Sequence, residues 1–375
     1  MIDIHLGSKR GRVVAVVDIG STSAAVAIVH TNPHESATVF ASERAQLPLE
    51  ERTQEATIAG IGEMLKTAGE NAQKKYAVSK GGGAPIQAIY CIVHAPWTSS
   101  KTIRTAASFE KDTTITDIII SDLAKKALGE AGVDAKNLLE ANVIRVELNG
   151  YPTGKPIGKH AKEIVVHALL SECAAGIRSG IEGAISKVFP HAPPPVFHSA
   201  TRAAITSLRD GVDSESNYLL VDMESEGTSL TAVRGGVTAE HEHVAEGTQT
   251  ILKKIAGAGM PEETLSLLRM IARDQCSLPA CEALLTSLTK VEPDLVRIFG
   301  EAMGKAGATN RLPDTMILIA HPDMFPWLSR LFSRIDFSQF TLTAQPFVVK
   351  KMSNTASGTE DPNLALAIEF VNRGD

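Results

Sequence analysis

Aromatic residues are scarce in this chain: phenylalanine, tyrosine and tryptophan together make up 5% of its 375 residues. So few rings argue against stacking on nucleic-acid bases. Positive charge is not concentrated either. The net charge is −6 and there is no sustained basic block, which excludes a general nucleic-acid binder. No run of about 18 apolar residues occurs, so no transmembrane helix is expected. There are four cysteines, Cys91, Cys173, Cys276 and Cys281, and none forms a C-x-x-C pair. Each is expected to be a small core residue rather than a ligand or half of a disulfide. No G-x-x-x-x-G-K-[ST] stretch is present, which excludes a P-loop NTPase. Ser21, Ser199 and Ser225 lack a G-x-S-x-G frame, which disfavours an α/β-hydrolase. The opening MIDIHLGSKRGR carries a basic group, but the apolar run behind it is cut at Asp18, so it does not read as a secretory signal. The closing IEFVNRGD shows no basic amphipathic helix that would lie on a membrane. The location expected is cytoplasmic.

What the chain does have is a sizeable apolar fraction, 43%, and a length that suits two or three domains. Its most informative stretch is residues 13–30, VVAVVDIGSTSAAVAIVH. A buried strand runs into Asp18, a small polar bend follows, and a second apolar strand leads away. Gly20 lets the backbone approach a ligand closely. Successive N–H groups in such a bend form an anion nest, to which Ser21, Thr22 and Ser23 add hydroxyls. Asp18 suits the waters of a Mg²⁺ ion. Ordinary turn chemistry is the competing account of the same residues.

Further along, 53–71 has helical spacing of apolar residues and 79–85 is a flexible boundary. A strand at 86–94, a Thr-capped helix at 113–128 and a strand at 142–148 are expected, then a Gly/Pro-rich loop, a strand at 163–170 and a helix at 172–189. Residues 84–160 read as a small α/β insertion. Near Asn217 the opening pattern returns as YLLVDM, ESEGTS and LTAVRGG, followed by HEHVAEGTQTILKKIAG. Two such hairpins imply an internal duplication with a ligand held between two lobes. Helices over 261–305, a strand at 316–320, a helix at 327–332, a strand at 345–349, a soft linker and a helix at 363–370 complete the chain.

In order and motif, residues 12–372 resemble the FtsA branch of the actin-like ATPases, including its pilus-assembly cousin PilM. DIGSTSAAVAIV looks like the first phosphate loop and YLLVDMESEGTSLTAVRGG like the second. ITDIIISDLAKKAL with NVIRVELNGYPTGKPIGKHAKEIVVHALL is similar to the extra subdomain called SHS2 or 1C. HVAEGTQTILKKIA matches the strand–Gly–helix segment, MILIAHPDMFPWLSRLF the adenosine loop, and NLALAIEF the final helix. The resemblance implies an α/β, RNase-H-like fold in two lobes. Lobe 1 would be 1–83, continued at 161–210 and 346–375. The inserted subdomain would be 84–160 and lobe 2 would be 211–345. It also implies ATP and Mg²⁺ between the lobes, self-association in protofilaments and docking of partner peptides. Asp18, Gly20, Ser21, Thr22 and Ser23 would hold phosphate and Mg²⁺, joined by Asp222, Gly227 and Thr228 from the second loop. Gly247 would support the following turn. Asp18 and Asp222 are the candidate metal residues.

The sequence also departs from that pattern. The second loop has Glu224 and Glu226 where glycines are expected. In an extended segment Asp222, Glu224 and Glu226 share a face. One carboxylate about 5 Å from a phosphate charge costs roughly 3 kcal/mol at an effective dielectric near 20. A divalent ion on this D-x-E-x-E cluster could offset part of that; the other expectation is that the glutamates are solvated beside the cleft. The adenosine loop has Ala320-His321-Pro322-Asp323 in place of a Gly-Gly pair, and Pro322 removes a donor. These departures point to weakened or lost ATP turnover. His241 and His243 share a strand face as a possible metal pair, against a plain exposed face; His160 and His167 make no pattern. Sugar kinases share the core fold, but no acidic catalytic base or sugar-binding region is identifiable. Two readings stand: a scaffold acting by self-association and peptide binding, or an ATP-gated switch. Within the scaffold, the inserted block favours FtsA-like cell division. The missing membrane helix favours a PilM-like pilus role, in which a partner holds the protein at the inner face of the membrane.

Overall fold

The computed structural model describes residues 11–374 apart from 33–34, 49–52, 133, 135–136, 174–175, 210–216, 277–278, 353–358 and 360. Most of the basic N-terminal group, the lobe division near 210 and most of the soft linker lie outside the described residues.

The chain opens with three antiparallel strands, β1 (Arg12–Ile19), β2 (Ser23–Thr31) and β3 (Thr38–Gln46). Helix α1 (Gln54–Ala77) starts at Thr53, whose hydroxyl accepts from the Ala56 N–H. Strand β4 (Ala88–Val93) lies parallel to β1. The inserted block is β5 (Thr98–Thr114), α2 (Asp117–Glu130), β6 (Leu138–Leu148), β7 (Tyr151–Pro152) and β8 (His160–Cys173). Then come α3 (Ile177–Val188), β9 (Val196–Ser199) and α4 (Ala200–Arg209). The second half contains β10 (Tyr218–Met223), β11 (Thr228–Arg234), β12 (Val237–Val244), α5 (Thr248–Ala256), α6 (Pro261–Ala272) and α7 (Pro279–Ala306). It ends with β13 (Thr315–Ile319), α8 (Phe325–Phe332), β14 (Val348–Lys351) and α9 (Pro362–Arg373).

Two five-stranded sheets share one order, β3-β2-β1-β4-β9 and β12-β11-β10-β13-β14. In each, a hairpin is extended by parallel strands. Strands β1 and β10 are central and covered on both faces, which is why both read as unbroken apolar runs. The duplication legible in the two hairpins is therefore carried through the whole topology. Helices α1 and α3 cover the outer face of the first sheet. Helices α5 to α8 cover that of the second. Between the sheets sit α4 and α9. Leu364, Ala367 and Ile368 of α9 pack on the first sheet, while Leu366 packs on the second. A helix apolar all round is stable only where it is buried all round.

The third sheet has the order β5-β8-β6-β7, with α2 packed on one face. The strand expected at 163–170 belongs to it, pairing with both β5 and β6. The helix expected from 172 begins at Ile177, because residues through Cys173 remain in β8. One cysteine expectation is also corrected. Cys91 and Cys173 are buried thiols, but Cys276 and Cys281 form a disulfide. Their Cα atoms are 6.2 Å apart across the turn from α6 to α7, a separation a disulfide spans, and no C-x-x-C spacing announced it.

The third sheet is tied to the first through one buried carboxylate. Glu140 of β6 accepts from the Ser199 N–H at 2.8 Å, the Ser199 hydroxyl at 2.6 Å and Arg202 Nη1 at 2.9 Å, and lies 3.0 Å from His198 Nδ1. Burial alone would raise its carboxyl, but His198, Arg202 and Ser199 outweigh that and hold it at about 2, against an ordinary 4.5. The unfolded chain therefore binds this proton more readily than the folded one. The stabilisation, about 3 kcal/mol, is complete above pH 4.5 and is lost as the pH falls toward 2. Urea unfolding across this range should show that slope, and Glu140→Gln should flatten it.

Candidate functional site

The carboxyl ends of β1 and β10 face each other across the two lobes. Asp18 pairs with Ala25 in the first hairpin, and Asp222 takes the matching place opposite Ser229 in the second. Just beyond the end of β4, the parallel neighbour of β1, comes His94. Its N–H donates to the Ile19 carbonyl at 2.9 Å, which fixes the residue beside Asp18. The imidazole is fully buried. Nε2 lies 2.7 Å from Asp18 Oδ1, and Nδ1 lies 2.9 Å from Asp222 Oδ2 and 3.2 Å from Glu224 Oε1. One ring thus joins the two lobes.

Arg44, reaching over from β3, is the second cation. It donates to Asp18 Oδ2 at 2.5 Å and to Ser23 Oγ at 2.7 Å, and it pairs with Asp361. Asp361 is the N-cap of α9, accepting from the Asn363 and Leu364 N–H groups. Two residues on, the Asn363 side-chain amide donates to Glu224. The final helix therefore delivers two polar groups to the cleft, and Trp97 donates to the Gly20 carbonyl at 2.9 Å from the other side.

Glu224 is the residue that most changes the expected picture. It is buried, not solvated, because the bend after β10 turns it under the first loop. Its Oε2 receives the Ser21 N–H at 3.4 Å. A Cβ on Gly20 would run into the same carboxylate, so the close approach that Gly20 permits is used by Glu224. Glu226 stays partly exposed; its N–H donates to Ser21 Oγ at 3.2 Å. The two glutamates do not share one extended face, since β10 ends at Met223.

The other expected residues brace these loops. The Thr22 carbonyl accepts from the Leu47 N–H. The Thr228 hydroxyl donates to the Glu246 carbonyl at 2.6 Å. Gly227 and Gly247 sit where a Cβ would strike His243 and the second bend's backbone respectively. The N–H groups of Thr248 and Gln249, at the start of α5, are taken by the Glu224 and Ser225 carbonyls at 2.8 Å. Away from the cluster, His241 Nδ1 is 2.9 Å from Thr231 Oγ1 and His243 is exposed.

The charges are coupled. Burial disfavours charge on His94, but Asp18, Glu224 and Asp222 outweigh it and raise the imidazole well above its ordinary value. Asp18 is lowered because His94 and Arg44 overcome its burial. Burial, reinforced by Asp222 and Asp18 against the pull of His94 and Arg44, pushes Glu224 up to about 7.

A nucleotide with its divalent ion does not fit the inner end of this cleft. The first-loop N–H that would meet a phosphate meets Glu224, and both aspartates are engaged by cations of the chain itself. The cleft as a whole is open, about 760 Å³, and reaches inward to Ser23, Arg44, Glu224, Asp361 and Asn363. Its outer part is lined by Leu265 of α6, by Arg273 just past that helix and by the 320–323 loop, where Arg269 pairs with Asp323 at 2.6 Å.

His94, Arg44, Asp361 and Asn363 were not singled out by sequence reasoning. A polar residue ending IQAIYCIVH was the available signal, since parallel neighbours bring their carboxyl ends together. Arg44 and the α9 pair carry no local signature.

Two like-ordered sheets meeting at such a cleft define the actin-like ATPase fold. No protein-family model matches the sequence, and no curated protein sequence matches it. Among solved structures, the chain is similar to PilM of a PilM–PilN type IV pilus biogenesis complex, with a TM-score of 0.60 and 12% identity over 98% of this chain and 100% of that one. It is also similar to the ethanolamine utilization protein EutJ of Carboxydothermus hydrogenoformans, with a TM-score of 0.49 and 11% identity over 100% and 94% of the two chains.

Removing the bridging ring leaves Asp222 and Glu224 buried against each other without their shared cation. His94→Ala should therefore cost about 3–5 kcal/mol in urea unfolding. Asp361→Asn, which touches only the partly exposed arm of the network, should cost about 1 kcal/mol.

Proposed function

We propose that this protein is a PilM-like scaffold of a type IV pilus or related envelope machine, with a cleft held by its own side chains rather than by ATP and Mg²⁺. The observation that carries the reading is the Glu224 carboxylate on the Ser21 N–H, with His94 between Asp18 and Asp222. A carboxylate in the anion position and an imidazole between the two metal-facing aspartates supply internally what a nucleotide and ion would bring. Such a protein works by binding others. The full-length likeness to PilM, found in complex with PilN, supports a protein of a pilus apparatus as the partner. Cell division, toward which the inserted block points, is the second reading. No helix among the described residues is long and apolar enough to cross a membrane. Recruitment to the inner face of the membrane through the partner, and self-association in protofilaments, belong to the same proposal.

The full-length protein should be offered the cytoplasmic tail of a pilus inner-membrane protein and, separately, that of a tubulin-like division protein. Retention of the pilus tail alone is expected; retention of the division tail alone reverses the assignment. Calorimetric titration with Mg-ATP should show no saturable heat at millimolar nucleotide. Binding that disappears in Asp18→Ala would restore the ATP-gated switch.

A further inference from the structure

We propose that His94, Asp222 and Glu224 form a nucleotide-independent site for a transition-metal dication of the zinc class, with Asp18 as the carboxylate behind the histidine. The ligand atoms of the three residues all lie within 4.8 Å of one another. His94 Nδ1 is 2.9 Å from Asp222 Oδ2 and 3.2 Å from Glu224 Oε1. Tetrahedral ligands bound at about 2.0–2.1 Å stand about 3.3 Å apart, so the cluster needs little adjustment to enclose an ion.

A second observation points to a ligand. Asp222 is 9% exposed, and its Oδ1 is buried without a hydrogen-bond partner among the described residues. An oxygen in that position carries a desolvation cost that no protein donor offsets. The other oxygen, Oδ2, is the one that faces His94, and a cation held by both oxygens of this carboxylate would satisfy Oδ1 as well.

The donor set selects the metal class. Mg²⁺ and Ca²⁺ take oxygen ligands, and Mg²⁺ keeps several waters, which a buried imidazole nitrogen does not suit. Zinc and its first-row neighbours accept a mixed imidazole and carboxylate set. The other ring nitrogen, Nε2, is 2.7 Å from Asp18 Oδ1. In that arrangement Nε2–H donates to the carboxylate, and Nδ1 is turned as a lone pair toward the ion. Binding displaces the Nδ1 proton to solvent, and any proton on Glu224 with it, so the ion enters with release of one or two protons. Charge favours the exchange. Asp18, Asp222, Glu224 and Asp361 together outnumber His94 and Arg44, and a dication that enters as the Nδ1 proton leaves narrows that excess by one. The site is independent of the pilus assignment, which stands or falls on the tail-binding experiment.

The test uses the full chain, stripped with a chelator and free of nucleotide. Zn²⁺ is titrated calorimetrically, and Co²⁺ is followed by its visible absorption. One saturable equivalent is expected for each, with an intense tetrahedral Co²⁺ band. Glu224→Gln, which keeps the side chain's size and its bond to Asn363, should weaken Zn²⁺ at least 100-fold, as should His94→Gln. Asp18→Asn should weaken it about tenfold. Circular dichroism of each variant identifies any that do not fold, and Glu224→Gln then decides the matter alone. Absence of saturable Zn²⁺ uptake, uptake only with ATP present, or affinity unchanged in folded Glu224→Gln would each overturn the proposal. Affinity lost instead in a His241→Ala/His243→Ala variant would overturn it too, by placing the ion on β12.

Discussion

A single buried imidazole shared by an aspartate from each lobe is the contact on which the cleft depends. Asp18 has a second cation, Arg44, while Asp222 has the ring and little else. The bond is therefore unequal. On the lobe 1 side His94 is one member of a satisfied network. On the lobe 2 side it is the main compensation for a buried negative charge. An ion pair inside a protein contributes little to stability when compared with an apolar filling, yet breaking one partner is costly because the other charge remains buried. The network's effect is accordingly on specificity: it fixes which strand ends meet and at what separation.

That meeting is prepared by the duplication. Both sheets place an aspartate next to last in the central strand, and both continue into a parallel neighbour. Helices α4 and α9 separate the sheets on their inner faces and set the angle between them through apolar packing on both sides. The final helix has a further role. Its N-terminus carries Asp361 to Arg44 and Asn363 to Glu224, so the segment that closes the fold also closes the cleft. Packing and polar closure are thus one event in this molecule, since α9 cannot dock without delivering its capping turn.

Much of the fold was legible because buried parallel strands and their bends have strong local patterns. VVAVVDIGSTS and YLLVDMESEGTS announced the two hairpins, and their repetition announced the two lobes. The largely apolar NLALAIEF announced the closing helix. The cleft was less legible. Asp18, Gly20, Ser21 and Ser23 lie on one bend, but the side chains that meet this loop and its Glu224 partner come from 44, 94, 361 and 363, far away in sequence. No spacing rule links an arginine in an edge-side strand to an aspartate in a central one. Glu224 was seen as a charge out of place; its burial could not be read, because a strand pattern extended through Met223 predicts the wrong side for the residue that follows the bend. Cys276 and Cys281 show the same limit, since their pairing depends on how a turn between two helices folds back.

The position of Glu224 also bears on what the lobes can do. An external phosphate would have to displace a carboxylate that is covalently part of the cleft and already bonded to the same N–H. If it entered without displacing it, the repulsion at about 5 Å would be roughly 3 kcal/mol per charge at an effective dielectric near 20. A ligand able to shift the lobes must bind one arrangement better than another by the full difference in free energy. In this structure the Glu224 side chain and the His94 imidazole hold the strand ends of the two lobes together through groups of the chain itself. A cleft of this kind is suited to holding one shape for a partner. Any switching must act through the groups that close it, which are the ring of His94, the Glu224 carboxylate and the capping turn of α9.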